Sequence, residues 1–322
     1  METGTTGTAD ASRTVQDRLR WSWTERRQPL PYIGRFAPSP TGPLHLGSLL
    51  AAVASFLDAR HGGGRWLVRI EDLDTPRVVA GSADAILRTL ERFGLAWDGE
   101  VVYQSRRTPL YAAAMSALAA QGLTFECSCS RRELAGQEEQ GYPGTCRNGP
   151  MRPGPTATRF RVAHSRAVEF RDRVQGDVRA ELSTAGDVVV RRRDGLYAYQ
   201  LAVVVDDAEQ GVTDVVRGCD LLASTAWQVE LQRALRVPQP RYAHVPLLVE
   251  PDGSKLAKSR RSIDVAGGGG NEDLVAVLAI LGLGVPAELR EAPPGRLLDW
   301  AVPRFSLDAI RGRQAVPVPS QS

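Results

Sequence analysis

The sequence predicts an α/β protein built on a doubly wound parallel sheet, and three observations carry that expectation. Short β-prone runs alternate with stretches of helical apolar spacing through residues 32–126. A glycine-bearing turn joins the first of these strands to the first helix, where open α/β sheets place their ligands. The apolar runs resume after an irregular segment that begins at Cys127, so the sheet pattern is interrupted rather than ended.

The elements follow in order. Tyr32 to Phe36 is a short strand, and the turn cluster Pro38-Ser39-Pro40-Thr41-Gly42-Pro43 leads into a helix marked by Leu46, Leu49, Leu50, Val53, Phe56 and Leu57. Trp66 to Ile70 is a buried strand; Ile86, Leu87, Leu90 and Phe93 mark a second helical face; a third helix runs from Thr108 to Ala120. Strands alternating with helices of this length imply parallel pairing with right-handed crossovers. Beyond the insertion, Thr158 to Val162, Val188 to Val190 and Leu201 to Val205 continue the strand pattern. Leu221 to Leu235 reads as a helix and His244 to Val249 as a further strand. The tail carries the Gly267 to Gly270 tract, a helix around Leu274 to Leu281, and little else. The expected divisions are a flexible extension (1–31), a first half of a nucleotide-binding domain (32–126) and a metal-binding insertion (127–157). An insertion with the second half of the same domain (158–250) and a loop with a short helical region (251–322) complete them.

Bulk properties exclude some functions. No apolar run is long enough to span a bilayer and residues 1–30 lack a signal-peptide core, so the cytoplasm is the expected compartment and no membrane partner is expected. A net charge of +3 over 322 residues is too small to argue for a nucleic-acid partner and does not exclude one, although Arg191-Arg192-Arg193 and Lys258-Ser259-Arg260-Arg261 are locally basic. Of four cysteines, Cys127, Cys129 and Cys146 fall in one stretch, which points to metal rather than disulfides. Cys219 stands apart as a small core residue.

Two segments carry phosphate chemistry. In Leu44-His45-Leu46-Gly47-Ser48 the glycine lets a nucleotide approach the backbone, the helix N-terminus favours anions, and the imidazole can donate to a phosphoryl oxygen. In Ser254-Lys255-Leu256-Ala257-Lys258-Ser259, two lysines on a loop after a strand can neutralise charge as an α-phosphate becomes five-coordinate. Together these segments resemble the two signature motifs of class I aminoacyl-tRNA synthetases. Arg35-Phe36-Ala37-Pro38-Ser39-Pro40-Thr41-Gly42 and Arg69-Ile70-Glu71-Asp72 are similar to the glutamyl branch. The resemblance covers Ile33 to Asp264, and the lysine loop departs only mildly from the usual Lys-Met-Ser-Lys-Ser. It implies a Rossmann-type catalytic domain, catalysis by His45, Lys255 and Lys258, and ATP binding with Mg2+ by His45, Gly47 and Lys258.

A pocket selective for glutamate needs at least two cationic or donor groups and one carboxylate. By similarity to the family, Arg35, Phe36, Ala37, Pro38, Ser39, Glu71, Tyr199 and Arg217 line it, with Glu71 taking the ammonium and Arg35, Arg217 and Tyr199 holding carboxylates. Which arginine holds which carboxylate stays open. Three thiolates suit a tetrahedral zinc whose fourth ligand comes from elsewhere. His164 is the chemical candidate, but Cys-x-Cys followed by Tyr-x-x-x-Cys resembles a site in which Tyr142 is the fourth ligand. Only some sixty residues follow Lys258, too few for an anticodon-binding domain. With the tyrosine-containing zinc site, this resembles the glutamyl-Q tRNA(Asp) synthetase family. That implies a monomer that activates L-glutamate without tRNA and transfers it to queuosine in tRNA(Asp). A truncated glutamyl-tRNA synthetase and an inactive synthetase-like binding protein are the competing expectations.

Overall fold

The computed structural model describes residues 31–134, 141–162, 167–250, 253 and 271–318. Residues 1–30 of the expected extension, Lys255 and Lys258, the Gly267 to Gly270 tract and His164 lie outside the described residues.

The first strand, β1 (Ile33–Phe36), pairs in parallel with β2 (Arg65–Ile70), which pairs in parallel with β3 (Val102–Tyr103). On the other side, β9 (Asp214–Gly218) pairs in parallel with β10 (Arg241–Val245), and β10 with β6 (Ala167–Asp172); β6 forms an antiparallel hairpin with β7 (Gly176–Glu181). The two groups meet where the Thr213 N–H, just before β9, donates to the Ile33 carbonyl at 2.9 Å. Apolar side chains alternate across the sheet, as a period of two requires. Val216 and Ala243 pack on one face with helix α1 (Leu46–His61), while Val215 and Tyr242 pack on the other with α3 (Thr108–Ala120), α4 (Tyr199–Glu209) and α5 (Thr225–Leu235). Both faces are therefore covered, which is why β2 is buried from Trp66 to Ile70 and its Trp66-Leu67-Val68 run shows no alternation with polar residues.

The helix α2 (Ser82–Arg92) follows β2, and α6 (Glu272–Ile280) and α7 (Pro294–Ala301) close the α1 face. Gly64 turns the chain into β2 where a Cβ would lie 2.3 Å from the Tyr32 carbonyl oxygen, so no larger residue fits that turn. A separate antiparallel sheet orders β4 (Thr124–Cys127), β5 (Ala157–Phe160) and β8 (Val188–Arg191). Among the described residues no helix is long and apolar enough to cross a membrane.

Three sequence expectations are corrected. Leu201 to Val205 lies inside helix α4, not in a strand. All five residues are buried, so the run is apolar on every side and shows no helical period to distinguish it. His244 to Val249 is two strands, β10 and β11 (Leu247–Val249), divided at Pro246, which has no N–H to offer a ladder. Among the described residues the tail holds more than one helix: besides α6 it has α7, three short 3-10 helices and β12 (Ala315–Pro317), which pairs in parallel with β11.

Candidate functional site

The carboxyl ends of β1, β2 and β9 open into a cavity of about 1140 Å³. The expected residues Arg35, Phe36, Ala37, Pro38 and Ser39 line it from β1 and the following turn. Glu71 lines it from the end of β2, Tyr199 from α4, Arg217 from β9, and His45 and Gly47 from the start of α1. The Glu71 N–H donates to the Pro38 carbonyl at 2.9 Å, which ties the two strand ends together.

His45 is the N-cap of α1, its Nδ1 accepting the Ser48 N–H at 3.1 Å. The other ring nitrogen lies 3.0 Å from the Ser48 hydroxyl. A Cβ on Gly47 would sit 3.2 Å from the imidazole, so glycine keeps the ring in place and the helix mouth open to an anion.

Beneath this mouth lies a buried charge network. Arg35 sends Nε and Nη2 to the Asp207 carboxylate at 3.1 and 3.4 Å. Arg69, fully buried, reaches Asp207 at 2.8 Å, the Gln210 side-chain oxygen at 2.7 Å and Glu71 at 3.5 Å. Burial tends to raise the Asp207 carboxyl, but Arg35 and Arg69 outweigh it and hold that group below the usual range. Asp206 accepts from Gln104, Arg107 and the Tyr111 hydroxyl at 2.8, 2.6 and 2.8 Å. Burial pushes Glu71 up to about 7, although Arg69 and Arg35 draw it down. Tyr199 is also raised, chiefly by burial.

Arg217 is held differently. Its Nε donates to His244 Nε2 at 3.0 Å, Nη2 to Thr225 and Gln228 at 2.8 Å each, and Nη1 to the Tyr199 hydroxyl at 3.3 Å. Its guanidinium lies 5.3 Å from the centre of the Tyr242 ring. His244 Nδ1 lies 2.6 Å from Asp172, and burial depresses the imidazole despite that carboxylate.

The cysteines also converge. The sulfurs of Cys127, Cys129 and Cys146 lie within 4.8 Å of one another, with Cys129 and Cys146 3.5 Å apart. The Tyr142 oxygen is 3.4 Å from Cys127 Sγ and 3.8 Å from Cys129 Sγ, and accepts the Cys146 N–H at 2.8 Å. A tetrahedral zinc with ordinary bond lengths would set its sulfurs about 3.8 Å apart and sulfur to oxygen about 3.5 Å, so this donor set fits one. Burial, with the neighbouring Cys146, raises the Cys129 thiol to about 11. Burial also acts to raise Cys146, but the Met151 and Ser128 N–H groups prevail and bring it to about 6. Arg159 lies 3.8 Å over the Tyr142 ring. Cys219 is half-buried and apart from this cluster.

Sequence reasoning missed Asp206, Asp207, Gln228, Thr225, Asp172 and His244. An Asp-Asp pair two turns after Tyr199 is the available signal for the first two, had the run been read as a helix; the others carry no motif.

Residues 33–282 match the family described as tRNA synthetases class I (E and Q), catalytic domain. The chain is 55% identical over 281 residues to the glutamyl-Q tRNA(Asp) synthetase of Ectopseudomonas mendocina, covering 87% of this chain and 94% of that one. It is 51% identical to the protein of that name from Thiobacillus denitrificans, covering 91% and 99%. Among solved structures it resembles the glutamate-tRNA synthetase of Elizabethkingia anophelis, with a TM-score of 0.75 and 26% identity over 90% of this chain and 68% of that one.

Proposed function

The chain belongs to the glutamyl-Q tRNA(Asp) synthetases, class I enzymes of the glutamyl and glutaminyl branch, and from that membership we propose that it activates L-glutamate with ATP and passes it to queuosine in tRNA(Asp). The observation that carries the chemistry is the convergence of Glu71, Tyr199, Arg217 and the His45 helix mouth on one cavity. One buried carboxylate suits an ammonium, the guanidinium and phenol suit a carboxylate, and the helix N-terminus suits a phosphate.

In the proposed first step an oxygen of glutamate's α-carboxylate attacks the α-phosphorus of ATP in line, and the bond to the pyrophosphate oxygen breaks. His45 and Lys258 stabilise the added charge with the help of Lys255, Gly47 admits the adenosine, and Mg2+ arriving with ATP would supply countercharge to pyrophosphate. The product is glutamyl-adenylate, formed without tRNA. A hydroxyl of the queuosine cyclopentene-diol then attacks the activated carbonyl, AMP leaves, and the hydroxyl proton passes to solvent or to the leaving group.

Cys127, Cys129, Cys146 and Tyr142 would hold zinc. Bound there it supplies a structural crosslink, since three thiolates and a phenolate leave no open position for water. The chain's own part is to bring Cys127, at the end of β4, together with Cys129, Tyr142 and Cys146 from the segments that follow.

The test is transfer of labelled glutamate, with ATP, to tRNA(Asp) carrying queuosine, beside the same tRNA with guanosine and beside tRNA(Glu). Label on the queuosine form alone is the expected result. Label on tRNA(Glu) would make the chain a minimal glutamyl-tRNA synthetase, and ATP–pyrophosphate exchange absent with glutamate would make it a binding protein.

A further inference from the structure

Arg217, His244 and Asp172 stand on three adjacent parallel strands. Arg217 of β9 pairs in register with His244 of β10, and β10 pairs with β6 through Tyr242 and Asp172. All three side chains are buried. A guanidinium cannot give up its proton, so the nitrogen of His244 facing Arg217 Nε must be the acceptor. The ring proton then sits on Nδ1, where it donates to Asp172 Oδ2 at 2.6 Å. The other oxygen of Asp172 is already taken, accepting the N–H groups of Val174, Gln175 and His244 at 2.9, 2.8 and 3.1 Å.

From this arrangement we infer that Asp172 and His244 are positioning residues that fix the donor pattern Arg217 presents to glutamate. The inference rests on the glutamate reading above and deepens it. Arg217 has five N–H groups, and His244, Thr225 and Gln228 take three of them. The Tyr199 oxygen takes a fourth, which leaves the phenol free to donate its own proton. What remains for a carboxylate is one Nη1–H and the adjacent Tyr199 O–H. The pattern depends on His244 accepting: with a proton on Nε2, two donors would face each other and the guanidinium would have to turn. Orientation therefore passes from the Asp172 carboxylate through the imidazole to the guanidinium, with each link set by the one behind it.

Asp172→Asn tests this with little change of shape. The three backbone N–H groups hold the amide oxygen, so the amide nitrogen faces His244 Nδ1 and forces the proton onto Nε2. Leaving a buried charged donor unpaired costs enough to raise the glutamate KM in pyrophosphate exchange about 10- to 100-fold. The ATP KM should stay within about twofold, since the variant touches no ATP-binding group. Equal rises in both constants, or neither rising, would overturn the inference. Nitrogen NMR of the unsubstituted protein decides it even if the variant fails to fold. Of four histidines, His244 must show a protonated Nδ1 and a bare Nε2 at neutral pH, and the opposite tautomer or an imidazolium refutes it. No exchange by the unsubstituted protein with glutamate would instead sink the functional reading, which separates the two failures.

Discussion

If Glu71 receives the ammonium of glutamate, amino-acid binding must weaken as pH falls through about 7. Burial is the largest influence on this carboxyl and lifts it to about 7; Arg69 and Arg35 oppose the lift, while Asp207 and Asp206 add to it. Only the ionised form can pair with an ammonium, so the sign is a loss of affinity on the acid side. One pH unit below its midpoint the group is about one-tenth ionised, so the glutamate KM at about pH 6 should be about tenfold above its alkaline plateau, or about 1.4 kcal/mol. Pyrophosphate exchange between about pH 6 and pH 8.5 measures this, because glutamate's carboxylates stay ionised there and its ammonium, beside a carboxylate instead of the amide that lowers a peptide N-terminus, stays protonated. The ATP KM, followed in parallel, reports any general effect of pH. Glu71→Gln, neutral throughout, should raise the plateau KM by at least about tenfold and remove the pH dependence. A glutamate KM that is flat across the window, or one that moves in step with the ATP KM, would refute the role of Glu71.

Three further outcomes are expected. Lys258→Ala should abolish adenylate formation while glutamate binding is largely kept, and exchange at the unsubstituted rate would refute the role given to the lysine loop. Gly47→Ala places a methyl group 3.2 Å from His45, and a displaced imidazole should lower the exchange rate about 10- to 100-fold with the melting temperature little changed. Cys127→Ser should lose stoichiometric zinc by elemental analysis; unchanged metal content would mean that the cysteine cluster is not a zinc site.

What the sequence made legible was local. The strand-turn-helix around His45 needs only a short β run, a glycine-bearing turn and apolar residues at helical spacing, and all lie within thirty residues. Helix α3 was readable for the same reason, down to its ends at Thr108 and Ala120. The cysteines were legible as a cluster because three of the four fall in one short stretch, a spacing that points to metal rather than disulfides. Helix α4 failed because its apolar run is buried on all sides and its three consecutive valines favour a strand reading. The groups behind Arg217 were illegible for a different reason. Asp172 and His244 are distant from Arg217 in sequence, each is ordinary in its own segment, and only the register of β9, β10 and β6 brings them together, while Gln228 reaches Arg217 from helix α5.

That hidden set of partners separates two arginines that look equivalent in the sequence. Both Arg35 and Arg217 are buried cations lining the same cavity. Arg35 spends two nitrogens on Asp207, an ionised carboxylate that Arg69 also holds, so much of its charge is answered before any substrate arrives. Arg217 meets only neutral groups directly, namely His244, Thr225, Gln228 and Tyr199, and among the described residues no carboxylate lies within ion-pair distance of it. Its charge is oriented but not cancelled. In a buried setting an uncancelled cation attracts an anion far more strongly than one already paired, because little water screens it. The same low dielectric makes a charged partner for Arg217 costly to build in, since it would compete with the ligand. A neutral imidazole, kept neutral by burial and turned by Asp172, fixes the guanidinium without competing for it. The cavity thus holds one cation already paired with a carboxylate and one whose direct partners are all neutral, a distinction made by the partners of each arginine and not by the residue itself.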